Sequence, residues 1–316
     1  MVRYIVRRGL ASLLVLVGVS VLIFGLIKLT PGDAARARLP ATATQQQVDE
    51  MRRAMGLDRP VPVQYGYWLR DALQGDLGLS YQHRESALDL VRQRFGNTIV
   101  LAGSALCVAL ALGVAIGVAA GTRPNSAVDR GLTILSVAAA SVPTYWLGIV
   151  LLLVFALRLE WLPAVGMHDA RGDQGLVDLL RHLILPTVTT AAVPTAVIAR
   201  MVRSSVQETM GLDFVRTARA KGLREGAVVR GHALRTALPT FITIVALQAG
   251  YLLGGSLIAE IVFTWPGMGL QLYTAVGARD VPIIMAVTLV IAVIFISVNF
   301  LADLLQGVFD PRIRLA

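Results

Sequence analysis

Apolar runs of about 20 residues alternate with short charged connectors along the chain, a pattern that predicts membrane-crossing helices. The first run, Leu10–Leu29, reads LASLLVLVGVSVLIFGLIKL. At ~1.5 Å per residue it reaches ~30 Å, the thickness of a bilayer core. Five more follow: Thr98–Ala120, Leu132–Leu157, Leu183–Val202, Leu238–Ala259 and Pro282–Leu305. The first run is longer than the ~7–15 apolar residues of a secretory signal and is read as a retained span. Pro143, Pro186 and Pro194 fall inside the third and fourth runs and predict kinks there. The polar interval Thr30–Asn97 holds two helix-like stretches, TQQQVDEMRRAMGL and VQYGYWLRDALQGDLG. These predict either a packed cap or a docking element. Tyr65, Tyr67 and Trp68 in the second stretch suit a membrane interface.

Composition agrees with this pattern. Of the 316 residues, 55% are hydrophobic and 16% charged, against ~25% charged in an average soluble domain. The net charge of +9 would suit nucleic acid, but the basic residues sit in the connectors between apolar runs. There they act as topology signals. With the amino terminus inside, the inner segments carry Arg3, Arg7 and Arg8, then Arg123 and Arg130, then a strongly basic loop, then Arg312 and Arg314. The short outer segments are near neutral or acidic. The positive-inside rule therefore predicts six transmembrane helices in an all-α polytopic protein, with both termini cytoplasmic.

Several chemistries are missing. Ionisable residues are nearly absent from the span centres, and Lys28 lies near an end, where it can snorkel. No intramembrane relay of carboxylates or histidines for ion-coupled transport is legible. The chain has no phosphate-binding glycine loop, no His-Glu-x-x-His and no Gly-x-Ser-x-Gly. Cys107 stands alone in an apolar run, and His83, His168, His182 and His232 are scattered. The chain reads as non-catalytic, with no metal site. Small residues are placed for helix packing or a pathway: Gly113, Gly117 and Gly121 at four-residue spacing, and Gly250 and Gly254 likewise.

The densest basic stretch is FVRTARAKGLREGAVVRGHALRTALP, Phe214–Pro239. Phe214, Ala218 and Gly222 are spaced by four, so they share one face of a short helix, with Gly222 as its C-terminal stop. A second short run, Glu225–Thr236, leads into the fifth span. On these residues alone, a lipid-bound basic loop and a protein-docking helix fit equally well.

The segments DFVRTARAKGL and HALRTALP resemble the cytoplasmic EAA-type loop of ABC importer permeases, in the variant found in peptide transporters. LTPGD, GDLGLS, EWLPAVG, EIVFTWPGMG and DPRIR follow in matching order over nearly the whole chain. Together they resemble the B-type permease of the dipeptide/oligopeptide/nickel importer family. Two positions depart from the general loop motif: Arg216 stands where it has Glu, and Leu238-Pro239 lie farther along.

The resemblance implies a type I ABC importer permease fold and the pore-forming subunit of an ATP-driven, binding-protein-dependent importer in a bacterial inner membrane. It implies that Asp213, Phe214, Arg216, Ala218, Arg219, Lys221, Gly222 and Leu223 form the ATPase-coupling loop. It also implies a second homologous permease, two ATPase subunits that bind the ATP and magnesium, and an extracytoplasmic solute-binding protein. The chain then divides into residues 1–97 (tail, first span and outer loop), 98–305 (a five-helix core with the coupling loop at about 203–237) and 306–316 (a cytoplasmic tail). A stand-alone secondary transporter or channel is the alternative, which the missing intramembrane charges oppose.

Overall fold

The computed structural model describes residues 2–29, 34–37, 39–40, 42–169, 172, 174–223, 225–228, 231 and 234–309. The DPRIR segment and most of LTPGD lie outside the described residues. Helix α1 spans Val2–Leu29. A short α2, Ala34–Ala37, leads to α3, Gln45–Ala54, and α4, Val61–Leu73. Helix α3 opens on a capping box in which Thr44 and Gln47 satisfy each other's backbone N–H groups. Pro60 precedes the first turn of α4. Helices α3 and α4 fall on the two stretches expected to be helical, α4 beginning two residues earlier than expected, at Val61.

The core follows. Helix α5 is Ala87–Gly121, α6 Ala127–Ser141, α7 Thr144–Leu151 and α8 Leu176–Met210. Next come α9, Asp213–Ala220, α10, Glu225–Val228, and α11, Leu234–Gly255. Helices α12, Leu257–Val262, α13, Met268–Ala278, and α14, Val281–Phe309, come last among the described residues. Among the described residues, five stretches are long and apolar enough to cross a membrane: Tyr4–Leu29, Ala87–Gly121, Leu176–Met210, Ile244–Val262 and Val281–Leu304. A sixth exists only if α6 and the helix after it count as one span.

That sixth span is broken. Leu132–Leu157, expected as one helix, is two, bent by 98°. Val142 is extended, with ψ 128°, because a residue before proline is pushed out of the helical region, and Pro143 has no N–H to carry the ladder across. Helix α7 then runs into a π-helical turn, Leu152–Arg158. Pro186 and Pro194, by contrast, sit inside an uninterrupted α8. Neighbouring helices enclose α8 far more than any other span, so packing overrides the local cost.

Helices α5 and α8 pack at the centre of the bundle. In lipid the hydrophobic effect does not draw helices together, so close van der Waals contact must do so. The glycine stripe permits it. A Cβ added at Gly113 would stand 2.7 Å from Ile198 Cγ2. At Gly117 it would stand 2.6 Å from Val202 Cβ, and at Gly121 2.8 Å from Val206 Cβ. Gly250 of α11 faces Phe295 of α14 at an ordinary 3.4 Å, and Gly254 has no atom within 4 Å of such a Cβ. The α5 glycines are therefore an internal seam, and Gly254 is not part of one.

Helix α1 runs antiparallel to α14. Tyr4 donates its hydroxyl proton to the Asp303 carbonyl, and Arg8 pairs with the Asp303 carboxylate at 2.9 Å. At the other end Ile23 and Phe24 of α1 meet Met285 of α14, with Tyr65 and Trp68 of α4 packed against them. The polar interval between α1 and α5 is thereby fastened to the first and last spans. Tyr67 instead points outward.

Candidate functional site

Three clusters of side chains stand out. The first lies where α8 ends. Helix α9 folds back on that end, and Val215 and Ala218, three residues apart, are buried against Met210. Phe214, Arg216, Lys221, Gly222 and Leu223 are exposed, and Arg216 lies 3.7 Å from Asp213. The Arg219 side chain lies outside the described residues. Gly222 adopts φ +79°, and the Leu223 N–H bonds to the Ala218 carbonyl, closing α9 as its sequence predicts. The expected common face of Phe214, Ala218 and Gly222 is divided. Ala218 turns inward because it continues the apolar stripe begun by Val215, and α9 ends before reaching Gly222.

Above this helix, Arg203 of α8 and Asp129 of α6 form a two-point ion pair. Ser126 and the Asn125 N–H complete the setting of Asp129. The start of α6 and the end of α8 are thus tied together one step from α9.

The second cluster lies at the opposite end of the bundle, in EIVFTWPGMG. Helix α12 carries Glu260, which is fully buried. Thr98 and Ser256 donate hydroxyl protons to its Oε1, at 2.9 and 3.1 Å. The backbone N–H groups of Gly269 and Leu270 donate to Oε2, at 2.7 and 3.2 Å. Thr98 in turn accepts from the Met268 N–H. Trp265, also fully buried, donates its indole N–H to the Asn97 carbonyl, and Asn97 donates back to the Pro266 carbonyl. No Cβ fits at Gly267, where it would stand 2.4 Å from the Glu260 carboxyl, or at Gly269, 2.6 Å from Leu257 Cα. The Gly166 N–H of EWLPAVG bonds to the Phe263 carbonyl. GDLGLS is fixed nearby, where Asp280 accepts from the Ser80 hydroxyl and from the N–H groups of Tyr81 and Gln82. Asp129, Glu260 and Asp280 were not singled out from the sequence, because their partners lie 74, 162 and 200 residues away.

The third cluster gathers two of the four histidines. His168 and His182 both reach the Asp178 carboxylate, each at 3.1 Å. Among the described residues, no group of three or more His, Cys, Asp or Glu side chains is arranged to hold a metal.

Comparison with known proteins shows the family. Residues 1–102 match the N-terminal model of binding-protein-dependent transport system membrane components. Residues 113–315 match the binding-protein-dependent transport system inner membrane component model. The chain belongs to this permease family. The permease is 43% identical over 318 residues to a putative peptide permease of Brucella suis, covering 100% of both chains. It is 35% identical to the oligopeptide transport system permease AppB of Bacillus subtilis, covering 99% of this chain and 100% of that one. It is 38% identical to the glutathione transport system permease GsiC of Escherichia coli K12, covering 99% of each. Its fold is similar to a chain of the methionine ABC transporter MetNI in an inward-facing crystal form, with TM-score 0.56. That likeness covers 70% of this chain and 96% of the other at 19% identity. The permease is a multi-pass membrane protein, and the family is one of ABC importer permeases.

Proposed function

We propose that this permease is the pore-forming subunit of an ATP-driven importer of peptides or similar small solutes, with α9 as the contact for a cytoplasmic ATPase. Both termini lie in the cytoplasm, so α9 and the Arg203–Asp129 pair sit at the inner face and the Glu260 cluster at the outer face. A second homologous permease completes the pathway, two ATPase subunits supply ATP hydrolysis with magnesium, and an extracytoplasmic binding protein delivers solute. The names of the relatives, permeases for peptides, oligopeptides and glutathione, support a peptide-like solute.

The observation that carries this reading is the two-sidedness of α9. Val215 and Ala218 lock it to the end of α8, while Phe214, Lys221 and Leu223 stand exposed. A helix so anchored can pass a push from a partner directly into α8 and, through Arg203, into α6. Asp213, Arg216 and Arg219 belong to the same contact.

Pull-down of the tagged chain from its native membrane in mild detergent tests this. Wild type is expected to bring down a second permease and two ATPase subunits. Gly222→Glu is expected to lose the ATPases, because it puts a charge at the contact. Gly222→Ala shares the backbone strain of leaving glycine at φ +79° but adds no charge, and is expected to retain more of them. Recovery of the chain alone from wild-type membranes would overturn the proposal and favour a solitary transporter.

A further inference from the structure

A cavity of about 1260 Å³ opens at the end of the bundle where α1 finishes and α14 begins. It exceeds the ~300–1,000 Å³ of an ordinary small-molecule pocket. Its walls divide by chemistry. Phe24, Ile27, Trp68, Val281, Ile284 and Met285 give an apolar side built from the ends of two membrane-crossing helices and α4. Lys28, Arg53, Arg59 and Arg279 give a cationic side. These four form no ion pair among the described residues. Asp71 supplies the one carboxylate in the lining and is already paired with Arg70 at 3.0 Å.

Two of the cations are held in place. Lys28 donates to Gln64 and lies 5.5 Å from the centre of the Phe24 ring. Arg59 lies 4.9 Å from the centre of the Tyr67 ring. Such stacking fixes a guanidinium while leaving N–H donors for an anion.

Position selects the kind of anion. The cavity lies where the α1 and α14 spans end, at the depth of lipid headgroups. Leu26 lines it, and Leu22 stands one turn away on the same exposed face of α1. An apolar path therefore leads from the lipid-facing surface of α1 to the cations. A soluble anion needs no such path. We propose that this cavity binds an anionic phospholipid, its phosphate between Lys28, Arg53, Arg59 and Arg279 and its acyl chains along Phe24, Leu26 and the α14 residues. The lipid would then join α1, the outer helices and α14 at a place where protein packing leaves a gap.

Full-length protein in nanodiscs of equal phosphatidylcholine and phosphatidylglycerol tests the proposal by native mass spectrometry of the lipid it retains. Wild type is expected to keep phosphatidylglycerol in preference to phosphatidylcholine. Arg53→Gln/Arg59→Gln/Arg279→Gln is expected to lose that preference about tenfold to a hundredfold. Arg92→Gln, at an exposed cation outside the cavity, is expected to keep it. If the triple variant aggregates, Arg59→Gln and Arg279→Gln singly, both at exposed side chains, carry the same test with a loss of about fivefold each. No preference in wild type, or an equal preference in the cavity variants, overturns the proposal. So does a wild-type preference abolished by excess inorganic phosphate, which would mark a site for soluble anions.

Discussion

Arg203 and Asp129 meet face to face, the guanidinium Nε and Nη2 each donating to one carboxylate oxygen. Asp129 is almost wholly buried, and Arg203 is 30% exposed. Removing one partner strands the other. Arg203→Met is expected to cost about 3 kcal/mol, the low end for a buried pair because Arg203 keeps some solvent. Adding Asp129→Leu to that variant is expected to recover most of the loss. Thermal unfolding of the purified proteins in detergent measures both steps, and a double variant as unstable as the single one would show that the pair is not the cause.

The glycines of α5 and α11 are expected to differ sharply. Gly117→Ala forces a methyl to within 2.6 Å of Val202 and is expected to destabilise by about 1–3 kcal/mol. Gly254→Ala meets nothing and is expected to be neutral or slightly stabilising, since alanine favours a helix by up to about 1 kcal/mol. Unfolding midpoints of the two variants side by side decide it.

At Glu260 the four donors around one carboxylate require an acceptor on both oxygens. Glu260→Gln turns one acceptor into a donor, at an expected cost of about 1–3 kcal/mol, and Glu260→Ala is expected to cost more. Hydrogen exchange of the Gly269 and Leu270 amides is the direct readout, and both are expected to exchange faster in either variant.

Sequence patterning located the helices better than their joints. Runs of about 20 apolar residues marked six spans because span length is set by the bilayer, five of them standing as single stretches, and Gly222 marked the end of α9 by local hydrogen bonding. Pro143 and Pro186 look alike in the sequence, yet one breaks its helix and the other does not. The difference lies in the neighbours around α8, which no local pattern encodes. Glu260 fell just past the expected end of the fifth span at Ala259, whereas the apolar stretch runs on to Val262. Its role depends on Thr98, a contact visible only after folding. Ala218 was legible as part of a short helix but not as its inward side, because that depends on Met210.

Asp280 is expected to hold the turn at Ser80–His83 in place. Asp280→Ala removes the acceptor for one hydroxyl and two backbone N–H groups. Limited proteolysis is expected to cut the variant faster between Ser80 and Glu85 while leaving the spans intact. Equal cutting in wild type would show that the turn is held by the Leu77, Ala87 and Leu90 packing alone.

The Glu260 cluster also sets a schedule. Thr98 is synthesised 162 residues before the carboxylate it serves. At about 5–20 residues per second, roughly 8–30 s separate the two on the ribosome. For that interval α5 stands with its half of the socket empty, its Thr98 hydroxyl still without the Glu260 carboxyl. Asn97 and Thr98, made early, are thus the template on which the late segment from Glu260 to Met268 is laid.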